Sequence, residues 1–232
     1  MRTDSQNPPT PTDPVPRASA PLRARLAAVR LYVVTDASAP PGRVLDAVEG
    51  ALAGGAGAVQ LRRKGDAGLE HLRLAERCRE LCGRSGALFL VNDRLDIAMA
   101  VDADGVHVGQ GDLPVEAIRR LWPGRIVGRS THAPDQALAA VASGADHLGV
   151  GPVFATPTKP GRDPVGLEYV RWAAANVPIP WVAIGGIDER TVAGVVAAGA
   201  RAVAVVRAVG AAEDPAGAAR RLLGALLAGA SV

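Results

Sequence analysis

The chain has 232 residues, 48% of them hydrophobic, which is ample for one large core, and its formal net charge is only +3. The charged residues are well mixed, so nothing calls for nucleic acid or a membrane surface as a partner, and no apolar run is long enough to span a bilayer. Small molecules are the expected partners, and a homo-oligomer is compatible with this composition.

Residues 1–21 hold many Pro, Ser and Thr and no apolar core. No secretory signal is visible there, so a cytoplasmic protein is expected. The stretch reads as a disordered tail outside the fold, leaving 22–232 as a single domain. Cys78 and Cys82 lie four apart in HLRLAERCRELC, a run with helical periodicity. With no second pair at metal spacing, they read as packing residues in a reducing compartment.

Eight short apolar runs follow in chain order, at 31–36, 58–64, 87–93, 105–110, 125–131, 147–153, 181–186 and 201–209. Between them lie helical stretches such as GLEHLRLAERCREL and PDQALAAVASG. Gly-Ala pairs at 57, 86, 144 and 199 close several helices just before the next strand, since glycine suits the left-handed residue at a helix end. Strand alternating with helix implies a parallel sheet. Eight units in about 200 residues make a (β/α)8 TIM barrel. The alternative, an open doubly wound sheet, usually carries a glycine fingerprint after its first strand; here that strand runs into VVTDASAPPG.

Barrel chemistry gathers at the C-terminal ends of the strands. The second strand ends Gln60-Leu61-Arg62-Arg63-Lys64, and strand alternation puts Gln60, Arg62 and Lys64 on one face. The third ends Asn92-Asp93 and the fourth runs into Asp112, which brings two carboxylates to adjacent strand ends. A Mg²⁺ ion is the cation that takes one or two carboxylates and fills its other sites with water and phosphate oxygens. Each aspartate also reads as the N-cap of the helix behind it. The fifth strand ends with Ser130 and His132. No acid partner completes a Ser-His relay, so Ser130 is expected to hydrogen-bond a ligand and His132 to be a satisfied loop histidine. The sixth leads into FATPTKPG, where Thr156, Thr158 and Lys159 offer two hydroxyls and a cation. Gly186 after the seventh strand and Val206-Arg207 after the eighth fall where barrels commonly cup a phosphate. Two anion sites and a metal site in one mouth point to two phosphorylated substrates, one a diphosphate.

These residues resemble the thiamine-phosphate synthase family over about residues 31–209, through QLRRK, VNDRLDIA, ADGVHVGQGDLP, VGRSTH, GADHLGVGPVFATPTKPG and VAIGGI in order. The resemblance implies a transferase joining a pyrimidine methyl diphosphate to a thiazole phosphate, with thiamine phosphate and pyrophosphate as products. It implies that Gln60, Arg62, Lys64, Asn92, Ser130 and Lys159 serve the pyrimidine diphosphate, with Arg62, Lys64, Lys159 and Ser130 the catalytic set. It implies Thr156, Thr158, Gly186, Val206 and Arg207 for the thiazole phosphate, and Asp93 and Asp112 for Mg²⁺. Arg207 departs from the serine common in the family. A thiazole tautomerase and a non-catalytic phosphate-binding barrel are the rival readings; neither needs the paired aspartates or the basic row.

Overall fold

In the computed structural model, which describes residues 17–65, 68–156, 158, 161 and 163–229, eight parallel strands close into a barrel in sequence order. The strands are β1 (Leu31–Val34), β2 (Ala58–Leu61), β3 (Leu88–Asn92), β4 (Gly105–Val108), β5 (Ile126–Thr131), β6 (His147–Val150), β7 (Trp181–Ile184) and β8 (Val203–Val205). All eight fall inside the runs read from the sequence, and β8 closes on β1 through Leu31–Val203 and Val33–Val205. Several strands are shorter than their runs because glycine and polar residues take over at the C-terminal end, as after β2, β4 and β7.

The helices between them are α2 (Pro41–Ala53), α3 (Gly68–Ser85), α4 (Leu95–Ala100), α5 (Val115–Leu121), α6 (Pro134–Ala142), α7 (Gly166–Asn176) and α8 (Val192–Ala197). A short α9 (Arg207–Gly210) and the long α10 (Pro215–Gly229) follow β8. Their closing motif recurs. The amides of Ala56, Ala87, Ala103, Ala145 and Ala200 each donate to a carbonyl five residues back. The residue before each alanine has positive φ: Gly55, Gly86, Asp102, Gly144 and Gly199. This is the Schellman stop, which returns the chain to the sheet. The reading of Gly57 as one of these stops is corrected: Gly55 closes α2, and the Gly57 amide already bonds Leu31 of the sheet at 3.0 Å.

The fold also begins before residue 22. The Ala18 side chain is buried, its amide donates to Asp146 Oδ1 at 3.2 Å, and α1 (Ala20–Ala28) runs directly on from it. Leu26 and Val29 pack with Leu88, Leu90, Ile126 and Val182 inside the barrel, so α1 stoppers its N-terminal end. A few apolar residues suffice for this, which is why proline-rich composition set the boundary too late. The remainder of the expected tail, 1–16, lies outside the described residues.

Two aspartates fasten that lower end. Asp104 Oδ2 accepts from the Phe89 amide at 2.8 Å, and Asp146 Oδ2 accepts from the Val127 amide at 2.9 Å. Asp146 also pairs with Arg119 of α5, both side chains being 1% exposed. On the outer wall, Cys78 and Cys82 of α3 are buried as free thiols. Burial pushes the Cys78 thiol up to about 12, so it stays protonated and unreactive. Among the described residues, no helix is long and apolar enough to cross a membrane.

Candidate active site

At the opposite end, the strand termini enclose a cavity of about 400 Å³, a size that suits small organic ligands. Its floor is a polar layer on an otherwise apolar barrel. Gln60 Nε2 donates to the Tyr32 hydroxyl at 2.8 Å. His107 Nε2 lies 2.9 Å from Ser130 Oγ, and His107 Nδ1 lies 3.2 Å from His147 Nε2. The register explains the meeting of the two rings: His107 pairs with Gly128, and Gly128 pairs with His147. The middle strand contributes no side chain at that level, so the imidazoles meet over it. Burial pulls the His147 pKa down to about 4, with the nearby Asp146 charge opposing the shift; the ring is neutral at pH 7. Burial likewise pushes the Tyr32 phenol well above its usual range.

One wall is cationic. Arg62 is buried, lines the cavity and donates its amide to Thr35 Oγ1 at 2.9 Å. The Ser38 amide and hydroxyl hold the Asp36 carboxyl below its usual range, and the charges of Arg62 and Arg207 add to that effect. Another part of the rim is a backbone cup. Gly186 has φ +66°, and a β-carbon there would lie 2.7 Å from Phe154 Cβ, so this bend admits only glycine. Beyond the neighbouring strand β8, Val206, Arg207 and Ala208 line the cavity where α9 begins, and the first amides of a helix lack intrahelical acceptors. Thr156 and Thr158 line the same rim, and the Thr158 amide donates to Thr156 Oγ1 at 3.3 Å.

Gln60, Arg62, Asn92, Ser130, Thr156, Thr158, Gly186, Val206 and Arg207 thus share one cavity. Lys64, Asp93 and Asp112 do not line it. β2 stops at Leu61, so strand alternation does not extend to Lys64, which is exposed beyond the strand. Arg63 turns outward and donates to the Ala39 carbonyl. Lys159 lies outside the described residues. His132 lines the cavity with Nδ1 bonded to the Gly151 carbonyl.

Neither aspartate is a helix cap. The N-cap positions of α4 and α5 are Arg94 and Pro114. Asp93 instead takes φ +60°, held by its amide's 2.9 Å bond to the His107 carbonyl, a backbone state uncommon outside glycine. Asp112 Oδ2 accepts from the Gly109 amide at 2.8 Å. Among the described residues there is no cluster of three or more metal-ligating side chains. Asp93 directly follows β3 and Asp112 lies four residues past the end of β4; carboxylates of this kind fit Mg²⁺, which commonly takes few protein ligands and completes its shell with water and phosphate.

A family model described as thiamine monophosphate synthase matches residues 31–209. The chain belongs to this family. It is 55% identical over 195 residues to the thiamine-phosphate synthase of Gloeobacter violaceus, covering 84% of this chain and 56% of that protein. It is 52% identical over 198 residues to that of Thermus thermophilus, covering 83% and 95%. The chain therefore spans little more than half the length of the Gloeobacter relative and nearly all of the Thermus one. The solved thiamine phosphate pyrophosphorylase of Pyrococcus furiosus superposes with a TM-score of 0.81 at 38% identity, over 90% of this chain and 98% of that one. Within the family's motifs, the residues that sequence reasoning passed over are Tyr32, His107 and His147. The signal was present in the strand alternation: GVHVGQ and HLGVG each put one histidine among glycines on the inward face.

Proposed function

We propose that the chain couples 4-amino-2-methyl-5-(diphosphooxymethyl)pyrimidine with thiazole phosphate to give thiamine phosphate and pyrophosphate, as a cytoplasmic enzyme of thiamine biosynthesis. The observation that carries this reading is the single cavity that Arg62 and the Gly186 cup both line.

The reaction breaks the bond from the pyrimidine methylene carbon to the diphosphate oxygen, and the electron pair leaves with diphosphate. The methylene cation, conjugated with the pyrimidine, accepts the lone pair of the thiazole nitrogen. No protein nucleophile takes part. Arg62, with Lys64 and Lys159, neutralises charge growing on the departing oxygen, and Ser130, Gln60 and Asn92 orient the pyrimidine diphosphate. Thr156, Thr158, Gly186, Val206 and Arg207 hold the thiazole phosphate so that its nitrogen faces the methylene. Fixed charges and donors aimed at developing charge are the main catalytic resource of such a site, and alignment of the two substrates supplies the rest. Mg²⁺, held by Asp93 and Asp112, would add positive charge at the leaving diphosphate.

The test is to incubate the full chain with both substrates, with and without Mg²⁺, and follow both products. Equimolar, Mg²⁺-dependent thiamine phosphate and pyrophosphate are expected. Uptake of thiazole phosphate with no pyrophosphate released would reject the coupling reaction.

A further inference from the structure

The floor of the cavity holds three polar groups in line: His147, His107 and Ser130. Their contacts are 3.2 Å from His147 Nε2 to His107 Nδ1 and 2.9 Å from His107 Nε2 to Ser130 Oγ. A neutral imidazole carries one proton, so one nitrogen of each ring donates and the other accepts. Only two directions satisfy the line. Either His147 donates to His107 and His107 donates to Ser130, or both bonds run the other way.

The far end decides between them. His147 Nδ1 is buried and has no hydrogen-bond partner among the described residues. In the first direction that nitrogen is a bare lone pair. In the second it carries an N–H buried without an acceptor, and orphaned buried N–H groups are the rarer defect. The site is also built to bring the rings together. A β-carbon at Gly128 would lie 2.2 Å from His147 Cε1 and 2.3 Å from His107 Nδ1, and one at Gly149 would lie 3.4 Å from His107 Cε1. Burial keeps His147 neutral at pH 7, so it donates through one nitrogen alone.

We propose that His147 is a positioning residue that fixes His107 in the Nε2–H tautomer, so that Ser130 accepts from His107 and presents its own hydroxyl proton to the ligand. Ser130 is then a committed donor, which suits a phosphate oxygen or a ring nitrogen and disfavours a ligand N–H at that point. The inference rests on the proposed function only for which acceptor sits there. The direction of the line belongs to the protein alone.

The experiment is nitrogen-15 NMR of the full chain with labelled histidine at pH 7.5, compared with His147→Gln and His147→Phe. Protons on Nε2 of both His107 and His147 are expected in the wild type. The glutamine carboxamide should keep His107 in that form, because its N–H can replace the lost donor. The phenylalanine variant should release His107 into a mixture of tautomers. Nδ1–H on His107, a wild-type mixture, or a ring protonated on both nitrogens would overturn the inference, as would a pure Nε2–H His107 in the phenylalanine variant. If that variant does not fold, the wild-type tautomers still decide the direction. These readouts need no substrate, so a chain that makes no thiamine phosphate would sink the proposed function without touching this one.

Discussion

Gly128 and His147 stand side by side on β5 and β6 with no room for another carbon: a β-carbon on Gly128 would sit 2.2 Å from His147 Cε1. His107 blocks the other side at 2.3 Å. Gly128→Ala must therefore push two buried rings apart. Overpacking of this kind costs about 1–3 kcal/mol, which in a chain of this size lowers Tm by roughly 2–4 °C per kcal/mol. A thermal melt checks it. A variant as stable as the wild type would mean that the two rings do not meet over this glycine.

The pH dependence of stability follows from His147. Its folded pKa, about 4, lies below the ordinary 6.5 because burial disfavours the charged ring. Between those values the unfolded chain binds more protons than the folded one, so stability falls as pH drops from 6.5 toward 4. The shift corresponds to a loss on the order of 3 kcal/mol. Asp96, held down to about 2 by its hydrogen bond from Arg94, acts in the same direction but in the lower window from 3.8 to 2. Urea unfolding at several pH values separates them. His147→Gln should flatten the curve between 6.5 and 4 and leave the lower limb unchanged.

The barrel's lower end depends on Asp146. It receives the Ala18 and Val127 amides and the Arg119 guanidinium in a space closed to water. Arg119 also donates to the Gly144 carbonyl at 2.9 Å and to the Arg125 carbonyl. Arg119→Ala strands a buried carboxylate, and breaking such a pair costs about 3–5 kcal/mol. Arg77, whose partner Glu80 is on the surface, is the control: Arg77→Ala should cost under about 1 kcal/mol. Equal losses in the two variants would show that burial of the Arg119 pair is not what matters.

Particular residues show how much of this was legible in the sequence. The eight strands were, because each is a short apolar run ended by glycine or polar residues. Nine of the thirteen expected site residues line the cavity, because barrels concentrate chemistry at strand ends. Lys64 shows the limit of alternation: the rule holds only while the strand lasts, and β2 ends at Leu61. Tyr32, His107 and His147 lie deeper, below the C-terminal strand ends, where a polar residue in an apolar run looks like noise. Only the register, which sets His107 and His147 on either side of Gly128, turns them into a layer. The Arg119–Asp146 pair joins residues 27 apart in sequence, and no local pattern announces it.

Asp93 is the more constrained of the two expected metal ligands, since its positive φ is fixed by the bond to His107 on the next strand. Asp93→Asn keeps the shape and the small polar side chain that tolerates this backbone. It removes one negative charge where Mg²⁺ would bind. Turnover should fall by about 10² or more, the scale seen when a charge-stabilising group is removed, and more Mg²⁺ should be needed for half-maximal rate. Steady-state rates across a Mg²⁺ titration measure both. Near wild-type rates at every Mg²⁺ concentration would remove Asp93 from the site.

Arg207 lines the cavity at the proposed phosphate cup. It is exposed, and its charge reaches Asp36 beyond the neighbouring strand β1. The cup's backbone amides stay in place whatever the side chain, so Arg207→Ser should not abolish binding. What it removes is one solvent-screened cation, and an exposed ion pair contributes at most about 1 kcal/mol. The KM for thiazole phosphate should therefore rise no more than about fivefold, with kcat unchanged, because the same charge acts on ground state and transition state alike. The difference between the two proteins should shrink as salt is raised, since screening weakens a surface charge and leaves backbone hydrogen bonds in place. A KM that does not move at low salt would assign the cup to its amides alone; a loss of more than a hundredfold would mean that the guanidinium holds the phosphate directly.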